Sequence, residues 1–252
     1  MTSSTSSDAP STEPGIVDAA APEEGRPRRQ VWGRRQGPKL RPNRRSLLEE
    51  RLPEVGFTIP DSGRLDPRTL FGDEDRPVWL EIGFGAGEHL AWQAEANPDV
   101  GLIGVEPFIN GVARLLGLLE DKGLRNVREL TDDARLLLNA VPDASLERAF
   151  VLFPDPWPKL RHRKRRIVNR ATAAELARVL KPGAELRVAT DDPDYARWML
   201  EVLLAEPRLE WTAERAADWR ERPADWPATR YEEKALAAGR RPTFLRFRRV
   251  GY

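Results

Sequence analysis

Apolar positions along the chain come in short dense runs alternating with helically spaced ones. The first run, Pro77–Ile82, reads as a strand and passes at once into Gly83-Phe84-Gly85-Ala86-Gly87, with a helix expected from about Glu88. A second strand, Gly101–Val105, ends in Glu106, and Val112, Leu115, Leu116 and Leu119 then mark one face of a helix with Gly123 as its C-cap. Asn126–Leu130 reads as a third strand, and Ala134, Leu137, Leu138 and Val141 repeat the helical spacing after Asp133. Leu146–Phe153 reads as a strand, and Ala173–Leu180 as part of a helix stopped by Lys181-Pro182-Gly183. Further strands are expected at Ala184–Ala189, Leu209–Thr212 and Thr243–Val250, with a helix from Pro193 that carries Tyr195, Trp198, Met199, Val202 and Leu203. Connections of this length favour β–α–β crossovers over hairpins. The expected fold is therefore α/β: one doubly wound, mostly parallel, Rossmann-like sheet covered by helices.

The first residues stand apart from this pattern. Met1–Ala21 is rich in Ser, Thr, Pro and Ala and lacks periodic apolar positions, so it is expected to be disordered. It also lacks the basic start and apolar run of a secretory signal. The sequence thus divides into residues 1–45, a disordered then basic arm, and residues 46–252, a single domain. No run approaches the roughly 18 apolar residues of a membrane span. The chain has no cysteine and only two histidines, His89 and His162, which argues against disulfides, thiolate nucleophiles and His- or Cys-rich metal sites. A cytoplasmic protein without a metal is expected, as a monomer or a homodimer. The net charge is only +1, but the cations are segregated. Arg26, Arg28, Arg29, Arg34, Arg35, Lys39, Arg41, Arg44 and Arg45 occur without an intervening acid, Lys159–Arg166 reads KLRHRKRR, and Arg240, Arg241, Arg246, Arg248 and Arg249 lie near the end. Such clusters on a nearly neutral chain point to a polyanionic partner.

Candidate chemistry falls where open α/β sheets gather ligands, beyond the carboxyl ends of the strands. Gly83, Gly85 and Gly87 form a turn that lets a ligand approach the backbone, and Glu106 is placed to accept from two ribose hydroxyls. GFGAG lacks the third glycine of GxGxxG, since His89 follows Gly87-Glu88, and no GK[ST] of a P-loop follows. Glu81 beside the turn would repel a pyrophosphate but suits a cofactor that carries a sulfonium and an amino group. S-adenosylmethionine is thereby favoured over NAD. Asp133 is either a helix cap or a cofactor ligand, and the two roles are compatible.

Leu80-Glu81-Ile82-Gly83-Phe84-Gly85, Gly104-Val105-Glu106-Pro107 and above all Phe153-Pro154-Asp155-Pro156-Trp157-Pro158-Lys159 with Arg161–Arg166 resemble the bacterial tRNA (guanine-N7)-methyltransferases. The likeness spans about Val78–Phe247 and includes Ala189-Thr190-Asp191 and Thr229-Arg230-Tyr231-Glu232, with Tyr231 where that family usually has Phe. It implies methyl transfer from S-adenosylmethionine to N7 of guanine at position 46 of tRNA. It further implies Glu81, Glu106, Asp133 and Asp155 as cofactor-site carboxylates, with Asp155 also catalytic. Lys159, Asp191, Thr229, Arg230, Tyr231 and Glu232 match substrate-binding positions, and Arg161, His162, Arg163, Lys164, Arg165 and Arg166 match an RNA-contacting segment.

Residue chemistry agrees with this. Pro154, Pro156 and Pro158 deny a helix after the strand and hold an extended loop that projects Asp155. Trp157 either packs under that loop or stacks beside a base. His162 reads as a member of the basic patch, and His89 as structural. Methylation of another RNA nucleotide, or RNA binding without catalysis, are the competing readings that the residues leave open.

Overall fold

The computed structural model describes residues 31–32, 35–60 and 63–251. The disorder expected of Met1–Ala21, and Arg26, Arg28, Arg29 and Arg34 of the basic arm, lie outside the described residues. The described chain opens with two short helices, α1 (Pro42–Glu50) and α2 (Leu52–Val55), and a 3-10 turn at Pro67–Phe71. Strand and helix then alternate as β1 (Val78–Ile82), α3 (Glu88–Ala96), β2 (Gly101–Val105), α4 (Ile109–Asp121), β3 (Val127–Leu130), α5 (Ala134–Ala140) and β4 (Leu146–Leu152). After a 3-10 turn at Leu160–Arg165 come α6 (Arg170–Val179), β5 (Leu180–Thr190), α7 (Pro193–Leu204) and β6 (Leu209–Trp211). The series ends with α8 (Ala217–Arg220), α9 (Arg230–Ala237) and β7 (Thr243–Arg249).

The strands form one sheet in the order β3-β2-β1-β4-β5-β7-β6. β1 to β5 pair in parallel, and β7 runs antiparallel between β5 and β6. The order reverses between β1 and β4, which opens a crevice at their carboxyl ends. Helices cover both faces. Leu90, Val112, Leu115, Leu116 and Leu119 of α3 and α4 bury one face. Leu137, Leu138, Leu176, Ala177, Met199 and Leu203 of α5, α6 and α7 bury the other. This is why β2 is buried at every position and reads as an unbroken apolar run.

One expectation needs correction. Lys181-Pro182-Gly183 does not stop a helix at Leu180: α6 ends at Val179, and β5 begins at Leu180 and runs through those three residues. The pairing with β4 shifts register there, between Leu146 and Arg148, so the strand accommodates proline and glycine at an irregularity. α1 begins at Pro42, with proline in the first turn where its missing N–H is harmless. It packs on α4, and the Arg44 guanidinium donates to the Ala113 carbonyl at 3.0 Å. α9 is an element that no expectation covered, although Thr229-x-x-Glu232 is a helix-start pattern.

Candidate active site

The site is assembled from four strand ends. β1 delivers the glycine turn, in which Gly83 (φ +74°) donates to the Val105 carbonyl at 2.8 Å and so ties β1 to β2. A Cβ on Gly83 would meet no atom within 4 Å, so the backbone there is open to a ligand. Gly87 serves packing instead: a Cβ there would stand 2.8 Å from Leu115 of α4. β2 delivers Glu106, whose carboxylate accepts from Gly85 N–H at 2.8 Å and Phe108 N–H at 3.0 Å. Burial pushes this carboxyl up to about 7 against the two backbone donors, with Asp155 and Glu81 adding to the rise. β3 delivers Asp132 and Asp133. Asp133 caps α5 by accepting from Arg135 N–H at 3.0 Å and also receives the Arg135 guanidinium at 3.0 Å. The two roles weighed for Asp133 are thus compatible, since it caps the helix and lines the cavity.

β4 delivers the proline loop. Phe153 (φ 50°) and Trp157 (φ 44°) both sit in the left-handed region, which costs a side chain with a Cβ about 1–2 kcal/mol each. Phe153 is pinned there by its N–H to the Ala189 carbonyl at 2.8 Å. Asp155 stands exposed on this loop, and the surrounding walls still raise its carboxyl above the ordinary range. Together these pieces enclose a cavity of about 560 Å³, within the range of small-molecule sites. Glu106, Asp132, Asp133 and Asp155 line it, as do Gly83, Gly85, Phe108, Trp157, Arg165 and Tyr231. Acids dominate the β2–β3 side, and Trp157 with Arg165 forms the β4 side. Trp157 is half-buried on the cavity wall and makes an edge contact with His162, with 5.9 Å between centroids.

Other expected residues lie elsewhere. Glu81 is buried beneath the glycine turn, off the cavity wall, and its carboxylate is 2.7 Å from His89 Nδ1. His89 packs between Phe150 and Trp226 and approaches Gln93 through Nε2 at 3.2 Å, so its expected structural role includes holding Glu81. Arg166, expected to contact RNA, is fully buried. It donates to the Pro156 carbonyl at 2.8 Å and to Asp194 at 2.6 Å, and lies over the rings of Tyr195 and Trp198. It braces the proline loop from behind. Arg163 shares Asp194 at 2.8 Å, and this double pairing holds the Asp194 carboxyl below the usual range. Lys159, Arg161 and Lys164 are exposed, and His162 has its pKa lowered by partial desolvation and the cations around it. Asp191 pairs with Arg240 at 2.7 Å. Thr229 caps α9, and Glu232 is buried beside Arg222 at 3.2 Å. Of that segment Tyr231 reaches the cavity, while Arg230 stays exposed.

Sequence reasoning missed Asp132, Trp32 and Glu129. Glu129 is buried on β3, where among the described residues the Thr131 hydroxyl alone bonds its two oxygens, and burial raises it to about 8. Among the described residues no group of three or more His, Cys, Asp or Glu could hold a metal ion, and no helix is long and apolar enough to cross a membrane.

A mostly parallel sheet with its order reversed beside a glycine turn, and with an acid just past the second strand, fits an S-adenosylmethionine-dependent methyltransferase. Residues 75–245 match the family described as "Putative methyltransferase". The chain is 51% identical to a tRNA (guanine-N(7)-)-methyltransferase of Rhodospirillum rubrum over 90% of this chain and 91% of that one. It is 53% identical to that of Paramagnetospirillum magneticum (89% and 93% covered) and 52% identical to that of Ruegeria pomeroyi (89% and 96%). Among solved structures, an rRNA methylase from Streptococcus thermophilus shares 12% identity at a TM-score of 0.46, covering 71% of this chain and 89% of that one. The chain belongs to the tRNA (guanine-N(7)-)-methyltransferase family.

Proposed function

We propose that this chain methylates N7 of guanine at position 46 of tRNA, with S-adenosylmethionine as donor, in the cytoplasm. The observation that carries the reading is the convergence of Glu106, Asp133 and Asp155 on one cavity, walled on its other side by Trp157 and Arg165. The residues fit the donor: an open backbone at Gly83, an acid with free lone pairs at Glu106, and a cavity of sufficient volume. S-adenosylmethionine supplies a methyl group on a cationic sulfonium.

Glu106 is placed to accept from ribose hydroxyls while its present backbone bonds keep it oriented. Glu81, locked onto His89, supports the turn and adds negative potential behind it. Guanine N7 has an in-plane lone pair, so no base has to remove a proton there and no metal is called for. The main requirement is alignment of N7 with the methyl carbon. As the methyl moves, positive charge develops on guanine, and the Asp155 carboxylate on the opposite rim stabilises it. The same oxygens can accept from guanine N1–H and the exocyclic amine and so fix the ring. Lys159, Arg161 and Lys164 extend from the same loop into solvent, where their charge suits RNA phosphates. The reading is tested by incubation with unmodified bulk tRNA and labelled donor, followed by digestion and nucleoside identification. Label in 7-methylguanosine is expected; label in another nucleoside, or none, rejects it.

A further inference from the structure

At the mouth of the cavity one guanidinium lies over two indoles. The central carbon of Arg165 is 4.9 Å from the ring centroid of Trp157 and 4.9 Å from that of Trp32. Trp157 belongs to the proline loop, whereas Trp32 comes from far upstream, and both line the cavity with Asp155. The segment that follows Trp32 is tied to the start of α4. The Arg35 carbonyl accepts from Ile109 N–H at 3.0 Å, Gly37 N–H donates to the Asn110 side chain at 2.7 Å, and the Asn110 amide donates to the Pro38 carbonyl at 2.9 Å. Among the described residues the buried Arg165 Nε has no hydrogen-bond partner, and the two ring faces hold this end of the side chain. The place beside both indoles therefore already accepts a flat cation.

Methylation at N7 makes another flat cation, the guanine ring itself. Electron-rich indole faces attract such a ring more strongly than the neutral base, so their effect grows as the reaction proceeds. We infer that Trp32 is a stacking residue for the target guanine, which enters between Trp32 and Trp157 where the Arg165 guanidinium now lies. Arg165 then swings outward, where a phosphate satisfies the nitrogen left unbonded inside. The chain upstream of the sheet thus completes the substrate half of the site. This inference rests on the N7 reading above and adds a recognition residue to it.

Single-turnover methylation at saturating tRNA and donor tests it, with donor binding measured in parallel. Trp32 is 41% exposed, so its replacement leaves the core intact. Trp32→Ala and Trp32→Leu are expected to slow the step about tenfold or more, since Leu keeps apolar bulk but has no π face. Trp32→Phe is expected to stay within about threefold of wild type, and donor affinity should not change in any variant. The inference is overturned if Trp32→Ala reacts at the wild-type rate or faster, if Leu serves as well as Phe, or if the loss tracks weakened donor binding. Wild-type formation of 7-methylguanosine in the same assay separates a failure here from a failure of the N7 reading.

Discussion

The two sides of the cavity are built on opposite terms. On the β2–β3 side, Glu106 and Asp133 are nearly buried and bonded to backbone N–H groups, so each acid is fixed before any ligand arrives. On the β4 side, Asp155 stands on a loop that its prolines stiffen, with two residues at positive φ and a buried arginine behind, and Arg165 ends the 3-10 turn that follows. The first side is preorganised by hydrogen bonds of its own. The second is held in shape from outside, by the Arg166–Asp194 pair and the Tyr195 and Trp198 rings. A small donor of constant shape suits the rigid side, and a nucleotide delivered by a large RNA suits the braced one.

The sharpest break in this comparison lies where the sides meet. Asp155→Ala should lower the single-turnover rate by about a hundredfold or more while tRNA binding changes little; a rate near wild type would remove Asp155 from the chemistry. Next in size is the brace. Arg166→Ala should destabilise the fold by roughly 2 kcal/mol in denaturant unfolding, because it removes the donor to the Pro156 carbonyl and leaves a void between two rings, while Asp194 keeps Arg163. If the variant keeps full stability, the β4 side does not depend on that support.

A smaller effect tests the rigid side. Glu106 titrates near 7 in the folded chain and near 4.5 when unfolded, so the folded state holds an extra proton between those values. Its contribution to stability therefore falls as pH rises from about 4.5 to 7 and is constant above that. Donor binding runs the other way, because ribose hydroxyls favour the ionised carboxylate. Affinity for S-adenosylmethionine should weaken by up to about tenfold per pH unit below 7, and Glu106→Gln should flatten that profile. A wild-type profile flat from about pH 5.5 to about 8 would contradict it. Smallest is the surface charge: neutralising Arg161 and Lys164 together should weaken tRNA binding several-fold and reduce the salt slope by roughly 0.7–0.9 per lost phosphate contact, with no change in Tm.

Much of the rigid side was legible in the sequence, because strand-to-helix turns advertise themselves: a glycine cluster after an apolar run, then an acid closing the next run. The sheet and its crossovers were readable for the same reason. What could not be read was direction. Glu81 lies inside β1, level with Gly104, and Glu106 lies just past the end of β2; one meets His89 and the other the cavity, and packing decides this. Arg165 and Arg166 are likewise adjacent in a run of cations. One lines the cavity and the other is buried, because the 3-10 turn ends at Arg165 and the backbone of Arg166 (ψ 128°) already leaves it. Trp32 lies in a polar, glycine-rich stretch with no periodicity to mark it, and its place beside Trp157 depends on contacts with α4 that are remote in the chain.

The central claim is a division of labour, with the donor on one side of the cavity and RNA on the other. Paired titrations of donor and of tRNA against Glu106→Gln and against the Arg161/Lys164 double variant test it most directly. The first variant should lose donor affinity and keep its affinity for tRNA, and the second should do the reverse. Equal losses for both ligands in either variant would contradict it.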